Sequence, residues 1–519
     1  MSRAALIQDG EPDIAPMLEA GRVHRFKKGS GIPVFAPVID MIEIGAGGGS
    51  IARVDDLGLL KVGPDSAGAD PGPACYGAGG TQPTVTDANL LLGYLDPGYF
   101  LGGRMSLDVA ASEAAVAGLA GRLGLSTLET AWGVYDLVCE NMAGAARVHI
   151  VEKGRDPRRY AMVAMGGAGP LHAARVARKL GMREVVVPPA SGAASALGFL
   201  GAPVSYEMAR SFPVRIADPD YAAIEAMLAE MEAEGRQRLA DAGVASGVTV
   251  QRKADMRLRG QMHELSVAMP REPLSPANLP SMVAAFTEEY QRRYTHLYDG
   301  AEIEVLNWRV VCTGPAPELS TRLVGGLASD GALKGHRKAW VPERGAVAEV
   351  PVYDRYSLRP GETVAGPAIV EEREATTIVP DACTVRVDEQ FNLRLSLAEL
   401  KAGQVLVGAD TALDDAIARI EGDPVGLEIM WSRLINVAEE CWHTVIRTAF
   451  SLIIGEAQDF ACEILDADGK QIVHSPRAMP VFNLTLPIAV NAMIERFPPE
   501  TLAPGDVLVT NDPWLCAGH

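Results

Sequence analysis

The first 203 residues of the chain alternate between strand-like and helix-like segments. Small and apolar residues recur at helical spacing from Asp108 to Leu123 and from Leu128 to Ile150. Further on, an apolar run is followed by a glycine turn, Gly166 to Pro170, a helix, and a second apolar run at Glu184 to Pro188. This order is typical of a βαβ unit, so we predict that residues 1–203 form an α/β unit.

Residues 204–397 change to strand-like runs with few helices. One helix is predicted from Tyr221 to Ala242, and strand-like runs follow it, among them Val248 to Leu258 and Ile303 to Cys312. The pattern predicts a β-rich α+β unit. Residues 398–423 are polar and alanine-rich, which favours a linker or a joining helix.

A third pattern occupies residues 424–519. Leu427 to Phe450 has the periodicity of a long amphipathic helix. Two strand-like pieces around a turn, a helix at about Pro487 to Arg496 and a strand-like run at Gly505 to Thr510 follow it. We predict an α+β unit, and we expect it to be truncated because the chain reaches His519 in a loop after the last predicted strand, without a closing element.

Composition and charge narrow the classes of function. With 48% apolar and 22% charged residues, the 519-residue chain resembles a folded globular protein. Its formal net charge of -19 argues against nucleic acid or an acidic membrane surface as a partner. No stretch approaches the roughly 20 apolar residues of a membrane span, and no signal-peptide pattern opens the chain. Seven cysteines without a C-x-x-C pair indicate reduced thiols, so we expect a cytoplasmic protein.

Consecutive glycines mark the first candidate for chemistry. Gly47, Gly48, Gly49 and Ser50 lie between two strand-like runs and predict a glycine hairpin. Its backbone N–H groups could form an anion nest for phosphate, with the Ser50 hydroxyl as a further donor. A tight hairpin without any ligand is the alternative interpretation of the same residues.

A second glycine turn, with Gly166, Gly167 and Gly169, lies between a strand and a helix. The free amides and the dipole of a helix N-terminus attract anions. A turn that serves packing alone is the alternative. Two glycine turns of different geometry in one lobe favour an actin/hexokinase-like ATPase, in which two loops close on the nucleotide from both sides.

Between the two turns lies a loop dense in glycine and proline, from Ser66 to Tyr76, followed by Asp87 and Asn89. Long ordered loops of this kind are disproportionately functional. Asp87 and Asn89 are therefore candidates to orient a metal or a substrate, in a catalytic role. Capping of the helix that begins near Asn89 is the alternative.

Taken together, these segments resemble a known family, hydantoinase A, the ATPase subunit of N-methylhydantoinase, 5-oxoprolinase and acetone carboxylase. The resemblance is to its C-terminal half, and further matches to its C-terminal domain lie at Gly260-Gln261 and Gly366 to Val370. The matching segments occur in the family's order: residues 45–52 (GAGGGSIA), 66–77 (SAGADPGPACYG), 83–89 (PTVTDAN), 154–157 (GRDP), 166–173 (GGAGPLHA) and 195–198 (SALG).

From Asp423 onward the chain is similar to the start of hydantoinase B. The similarity lies in Arg447 to Ser451, Glu456 to Cys462 and the final Asn511 to His519. It implies that Asp459 and His519 are metal ligands, and carboxylate with imidazole suits zinc, manganese or iron. An A-then-B order in one chain resembles the arrangement of eukaryotic-type 5-oxoprolinases.

The resemblance also implies a fold and a reaction. The fold would be an incomplete actin/hexokinase-like ATPase lobe, because the family's first phosphate-binding D-x-G-G-T segment has no counterpart before residue 37. In the reaction, ATP with Mg phosphorylates the carbonyl oxygen of a lactam or imide. A metal-bound water in the B-type part then attacks the activated carbon and the ring opens.

Two alternatives stay open. The same subunits build ATP-dependent ketone carboxylases, and the segments Met41 to Gly45 and Pro513 to His519 are closer to carboxylase-like members. Alternatively, these residues are an inactive fragment, or one subunit of a homo- or hetero-oligomer whose other chains supply the missing halves. The substrate is accordingly a lactam, a hydantoin or a ketone.

Overall fold

The computed structural model describes residues 2–8, 10–15, 17–20, 31–34, 38–261, 264–294, 300, 302–317, 331–398, 412–449, 451–455 and 457–515. By their contacts the residues form two compact units. Unit 1 comprises residues 1–151, 155–197 and 320–437, and unit 2 comprises residues 152–154, 198–319 and 438–519.

Short antiparallel strands open unit 1. They are β1 (Ser2–Ala5), β2 (Ile7–Gln8), β3 (Glu11–Pro12), β4 (Ile14–Ala15), β5 (Leu18–Ala20), β6 (Ile32–Val34), β7 (Val38–Ile39), β8 (Met41–Ile44), β9 (Ser50–Val54) and β10 (Leu60–Ser66). Strand β8 pairs with β1, whereas β9 pairs with β10. The predicted glycine hairpin is therefore wrong: strands flank the glycines on both sides, but each of them has another partner.

Helices and the predicted βαβ unit follow. They comprise α1 (Val85–Leu91), α2 (Val109–Leu123), α3 (Thr127–Glu152), β11 (Met162–Val163), α4 (Gly169–Lys179), β12 (Glu184–Val187) and α5 (Ala194–Gly201). Strands β11 and β12 pair in parallel, which confirms the βαβ unit. Helix α2 begins after Asp108, whose side chain accepts a hydrogen bond from the Ala111 amide (3.0 Å).

One antiparallel sheet with two helices lies in unit 2. Its elements are β13 (Ser205–Arg215), α6 (Tyr221–Asp241), β14 (Thr249–Leu258), β15 (Leu265–Ala268), α7 (Leu279–Tyr294) and β16 (Ile303–Thr313). The strand order is β13-β16-β14-β15. The buried Trp308 of β16 packs with Leu228 and Met231 of α6, and its indole N–H donates to Phe212 O (2.9 Å).

Residues 333–396 return the chain to unit 1. They form β17 (Leu333–Val341), β18 (Ala346–Asp354), β19 (Thr363–Ala365), β20 (Ala368–Glu371), β21 (Thr376–Val379), β22 (Thr384–Val387) and β23 (Leu393–Ser396). One sheet has the order β17-β18-β20-β21, and the other has the order β11-β12-β23-β22-β19. The βαβ unit and β23 thus share a sheet and a core, whereas the sequence predicts one β-rich unit from 204 to 397.

The last elements are mainly helical. They are α8 (Leu413–Glu421), α9 (Pro424–Thr448), α10 (Leu452–Gly455), β24 (Glu463–Leu465), β25 (Gln471–His474) and α11 (Pro480–Arg496). Helix α8 falls within the predicted joining segment, of which residues 399–411 lie outside the described part of the chain.

The strand predicted at Gly505 to Thr510 does not form. Its apolar side chains Val507 and Val509 are 81% and 87% exposed, and the described residues offer this segment no partner strand. Among the described helices, none combines the length and apolarity needed to cross a membrane.

The shared sheet predicts that β23 supports the βαβ unit. Leu395 is 1% exposed, and we expect Leu395→Ala to lower the free energy of unfolding of unit 1 by about 2–5 kcal/mol, as for other buried leucines. Arg394→Ala, in the same strand but with an exposed side chain, should cost less than about 1 kcal/mol. Urea unfolding of both variants measures the difference. Equal losses would contradict the shared core.

Candidate functional site

The glycine loop, residues 45–50, is closed by the side chain of Ser50. Its Oγ accepts a hydrogen bond from Gly47 N (3.0 Å) and donates to Gly45 O (3.3 Å). The Ser50 amide also donates to Gly47 O (3.0 Å). The hydroxyl predicted to bind phosphate is therefore engaged within the loop itself, and Ser50 is buried.

Neighbouring segments hold the loop from two sides. Gly49 O accepts from Ala67 N (2.9 Å), and Gly48 O accepts from both Thr86 N (2.8 Å) and Thr86 Oγ1 (2.9 Å). A Cβ at Gly48 would lie 2.7 Å from Thr86 Oγ1, and one at Gly49 would lie 2.8 Å from Ser66 Oγ, so a side chain at either position would displace a neighbouring hydroxyl. Within the described part of the chain, the amides of Gly48 and Gly49 have no acceptor, which leaves both available to an anion.

The carboxylate of Asp87 joins three segments behind the glycine loop. Asp87 is fully buried and accepts hydrogen bonds from Ala74 N (3.3 Å), Cys75 N (2.8 Å), Thr84 N (2.9 Å), Thr84 Oγ1 (2.7 Å) and Ser112 Oγ (2.7 Å). Thr84 and Asp87 form a capping box for α1, which begins at Val85. Capping, the alternative role, is thus confirmed for Asp87. Its catalytic role stays a prediction.

Asn89 points towards the second helix of the site. It is 2% exposed, and its Nδ2 lies 3.4 Å from Nε2 of the equally buried His172 in α4. On the other side of the imidazole, Nδ1 lies 3.4 Å from Cys139 Sγ, and the ring stacks on Tyr135 at 4.9 Å. Burial lowers the pKa of His172 to about 4, so the imidazole is neutral. Asn89 Oδ1 is buried without a hydrogen-bond partner among the described residues.

At the second glycine turn the backbone is open to solvent. Gly166 has φ 91° and donates to Ser191 O (2.8 Å), while Gly167 is exposed. The N-cap residue of α4, Ala168, offers no side-chain cap. In the described ranges the amides of Gly167 and Ala168 find no acceptor, and nothing lies within 4 Å of a Cβ added at Gly169. An uncapped helix start with free amides suits an anion.

Helix α1 connects the two glycine segments. Its residue Thr86 binds Gly48, and one helical turn later Asn89 meets His172. His172 in turn lies three residues after Gly169, in the first turn of α4. Within unit 1, α1 thus contains Asp87 and Asn89, contacts the glycine loop with Gly47, Gly48, Gly49 and Ser50, and contacts α4, the helix that begins at Gly169 after Gly166 and Gly167.

The predicted metal ligands belong to the last part of the chain. Asp459 lies between α10 and β24, where its amide donates to Ile453 O (3.1 Å). His519 lies outside the described residues. In the part of the chain that is described, no group of three or more His, Cys, Asp or Glu residues is placed to hold a metal ion. The donors present do not make a metal site by themselves.

A buried ionic cluster lies beside the site and was not predicted from the sequence. Arg175 and Lys179 of α4 reach Asp136 of α3 (2.6 and 3.1 Å), and Lys179 also reaches Glu140 (2.8 Å). Burial would raise the pKa of Asp136, but Lys179 and Arg175 lower it overall, so the carboxylate stays charged. The sequence does carry a signal for this cluster. The acidic residues Asp136 and Glu140 are four residues apart on one helix, and the basic residues Arg175 and Lys179 are four residues apart on the other.

The five donors on Asp87 predict a large effect of removing its charge. Asp87→Asn should lower the free energy of unfolding by about 3 kcal/mol or more, since each hydrogen bond to a charged group contributes roughly 1.5–3 kcal/mol. Because the loop from Ser66 to Tyr76 loses its anchor, proteases should cut it faster. Asp70→Asn, an exposed position in the same loop, is the control and should change neither quantity. If the two variants behave alike, Asp87 does not hold the loop.

The buried, neutral His172 predicts a pH dependence of stability. Its pKa falls from an ordinary value near 6.5 to about 4 in the folded protein. Between these values the unfolded chain binds a proton that the folded protein does not, so the free energy of unfolding decreases as pH falls from 6.5 to 4. The loss should total about 3 kcal/mol, at 1.36 kcal/mol per pKa unit, and remain below pH 4.

Urea unfolding at pH 7 and pH 4 measures this loss. His172→Gln should lose about 3 kcal/mol less stability between the two pH values than the wild type does. His336→Gln, at an exposed histidine, should keep the full wild-type dependence. The same pH dependence in all three proteins would show that His172 titrates normally.

Three family models match consecutive parts of the chain. Hydantoinase/oxoprolinase matches residues 2–208, and the Hydantoinase/oxoprolinase C-terminal domain matches residues 219–397. Hydantoinase B/oxoprolinase matches residues 423–519.

Individual proteins show the same relationship. Caprolactamase subunit alpha of Pseudomonas jessenii is 33% identical over 69% of this chain and 53% of its own length. 5-Oxoprolinase 1 of Arabidopsis thaliana is 29% identical over 94% of this chain and 38% of its own length. A nucleotide-free structure of acetone carboxylase matches with a TM-score of 0.61 and 28% identity, over 76% of this chain and 57% of that chain. The chain therefore spans about half, or less, of the relatives it matches, and it belongs to the hydantoinase/oxoprolinase family, with A-type and B-type sequence in one polypeptide.

Proposed function

We propose that this chain contributes a nucleotide site to an ATP-dependent enzyme that activates a carbonyl compound. The first candidate substrate is a cyclic amide of the 5-oxoproline or hydantoin type. The observation that carries the proposal is the pair of glycine segments that α1 connects, in which the amides of Gly48, Gly49, Gly167 and Ala168 have no acceptor among the described residues. Relatives named 5-oxoprolinase and caprolactamase support the cyclic amide.

Backbone groups would hold the phosphates. The amides of Gly48, Gly49, Gly167 and Ala168 would donate to phosphate oxygens, and the positive end of the α4 dipole adds to the attraction. At Gly169 the open space would let the nucleotide approach the backbone closely. Such donors are fixed before the ligand arrives, so they cost little reorganisation when charge develops. An actin/hexokinase-like arrangement of these loops is part of the proposal.

ATP with Mg would supply the phosphoryl group and the driving force. Opening an unstrained lactam in water is slow and nearly thermoneutral, so coupling to phosphoryl transfer addresses both the rate and the equilibrium. Asp87 and Asn89 would act at this site, Asp87 by fixing the loop and α1, and Asn89 through its buried carbonyl oxygen.

The B-type part would act on the activated compound. A divalent metal held by Asp459 and His519 belongs to this proposal, but the described donors do not form a metal site, so no step is assigned to it. The relative named as a caprolactamase subunit supports an assembly with further chains.

Carboxylation of a ketone is the second candidate function. The match to the acetone carboxylase structure, over 76% of this chain, favours it. Release of ADP by the protein assembled with its partner chains separates the two candidates. Stimulation by 5-oxoproline, hydantoin or caprolactam supports the lactam, whereas stimulation by acetone only with bicarbonate supports the ketone.

The open space at Gly169 gives a sharp test of the nucleotide site. Gly169→Leu places a side chain where phosphate would lie, yet it meets no atom of the protein within 4 Å of its Cβ. We expect affinity for MgADP to fall at least about tenfold, or about 1.4 kcal/mol, with the melting temperature unchanged. Isothermal titration of the 519-residue protein measures the affinity.

Gly121→Leu in α2 is the matched control, because that helical glycine also faces open space. It should bind MgADP like the wild type. Gly48→Val is a poorer test, because its side chain would collide with Thr86 and disturb folding and binding together. Equal affinity in Gly169→Leu and the wild type, or no nucleotide binding by the wild type, contradicts the proposal.

A further inference from the structure

The long buried helix α3 contains two glycines. Gly133 and Gly144 are eleven residues apart, which places them about 16 Å apart on the helix. Glycine inside a helix costs about 1 kcal/mol relative to alanine, so a buried helix with two of them needs a compensating contact.

The first half of α9, residues 424–437, supplies that contact. A Cβ at Gly133 would lie 2.8 Å from Val425 Cγ2, and a Cβ at Gly144 would lie 2.5 Å from Asn436 Nδ2. Val425 and Asn436 are also eleven residues apart, so the two helices run parallel and stay in register over three turns. The glycines form a groove in α3, and side chains of α9 fill it.

Charged pairs accompany the groove. Glu428 is 5% exposed and binds Lys61 Nζ of β10 at 2.6 Å. Arg433 Nε lies 3.3 Å from Oε1 of Glu140, which is fully buried in α3. Between these pairs, Ile429 packs against the hydrophobic core of unit 1. Shape, burial and charge therefore all select this helix in this register.

The two helices in contact belong to parts of the chain that match different family models. The groove and its charges belong to the A-type part, whereas the match to the B-type family begins at residue 423. We propose that residues 424–437 are a docking helix by which the B-type part binds the A-type lobe. This binding does not require the peptide connection through residues 398–423. The inference concerns assembly and stands apart from the proposed nucleotide site.

Cleavage of the folded protein tests the proposal. A specific protease site is inserted among residues 401–411 of the full chain, the purified protein is cut, and the products pass through a size-exclusion column. We expect the fragment that begins with α8 to co-elute with the remainder. Separation of the two fragments in the wild type overturns the proposal.

Charge reversal identifies the contact responsible. Lys61→Glu and Glu428→Lys should each increase the released fragment at least about tenfold, and the double variant should restore co-elution because the ion pair reforms with reversed sign. Gly144→Leu, which displaces Asn436, should release the fragment, whereas Gly121→Leu should not. Co-elution that survives both single charge reversals and Gly144→Leu overturns the proposal, and the circular dichroism spectrum and melting temperature of each uncut variant show that it is folded.

Discussion

A single buried carboxylate, that of Asp87, organises the candidate site. Taking a charged group out of water is costly unless hydrogen bonds replace its hydration, and here five donors from four residues do so. Those donors come from the Gly/Pro-rich loop, the start of α1 and helix α2. Once they converge, α1 has one position, and the contacts of Thr86 with Gly48 and of Asn89 with His172 follow from it.

A second constraint, a buried ionic cluster, fixes the position of α4. Asp136, Glu140, Arg175 and Lys179 exchange ion pairs between α3 and α4, which also share buried apolar residues of the core of unit 1. A buried ionic cluster adds little net stability compared with apolar packing, but it excludes other registers because any slip leaves charges unpaired. The start of α4 is thereby held in a defined position relative to α3.

Local patterns in the sequence were sufficient for elements with a clear period. Helix α2, helix α6 and the βαβ unit were predicted because their apolar spacing and turn residues are encoded within a few neighbouring residues. Partner choice between strands is not local, which is why the glycine hairpin was wrong and why β23 was assigned away from β12. The apolar residues Val507 and Val509 have a strand-like pattern, yet they are exposed, and no described strand pairs with them.

In the candidate site, too, some features could be predicted from the sequence and others could not. Glycine turns could be located from composition, since only glycine tolerates the close approach of Thr86 and Ser66. The internal role of Asp87 could not, because its partners lie up to about 25 residues away along the chain. The partners of Ser50 lie only three and five residues away, but its role depends on the path of the backbone through the glycine loop, which the residue types do not specify. The ionic pairs of α3 and α4 were readable in principle, from matching four-residue spacings, but only once the two helices are known to be neighbours.

The pairing of β12 with β23 also affects how the chain folds during its synthesis on the ribosome. Val187 and Leu393 are register partners, and about 200 residues separate them, so at about 5–20 residues per second the first strand emerges roughly 10–40 seconds before its neighbour exists. During that interval the apolar edge of β12 has no permanent cover, since β11 protects only the opposite edge. Binding of a chaperone, or fast synthesis of the intervening residues, would therefore keep that unpaired edge of a nascent chain from pairing with a neighbouring chain.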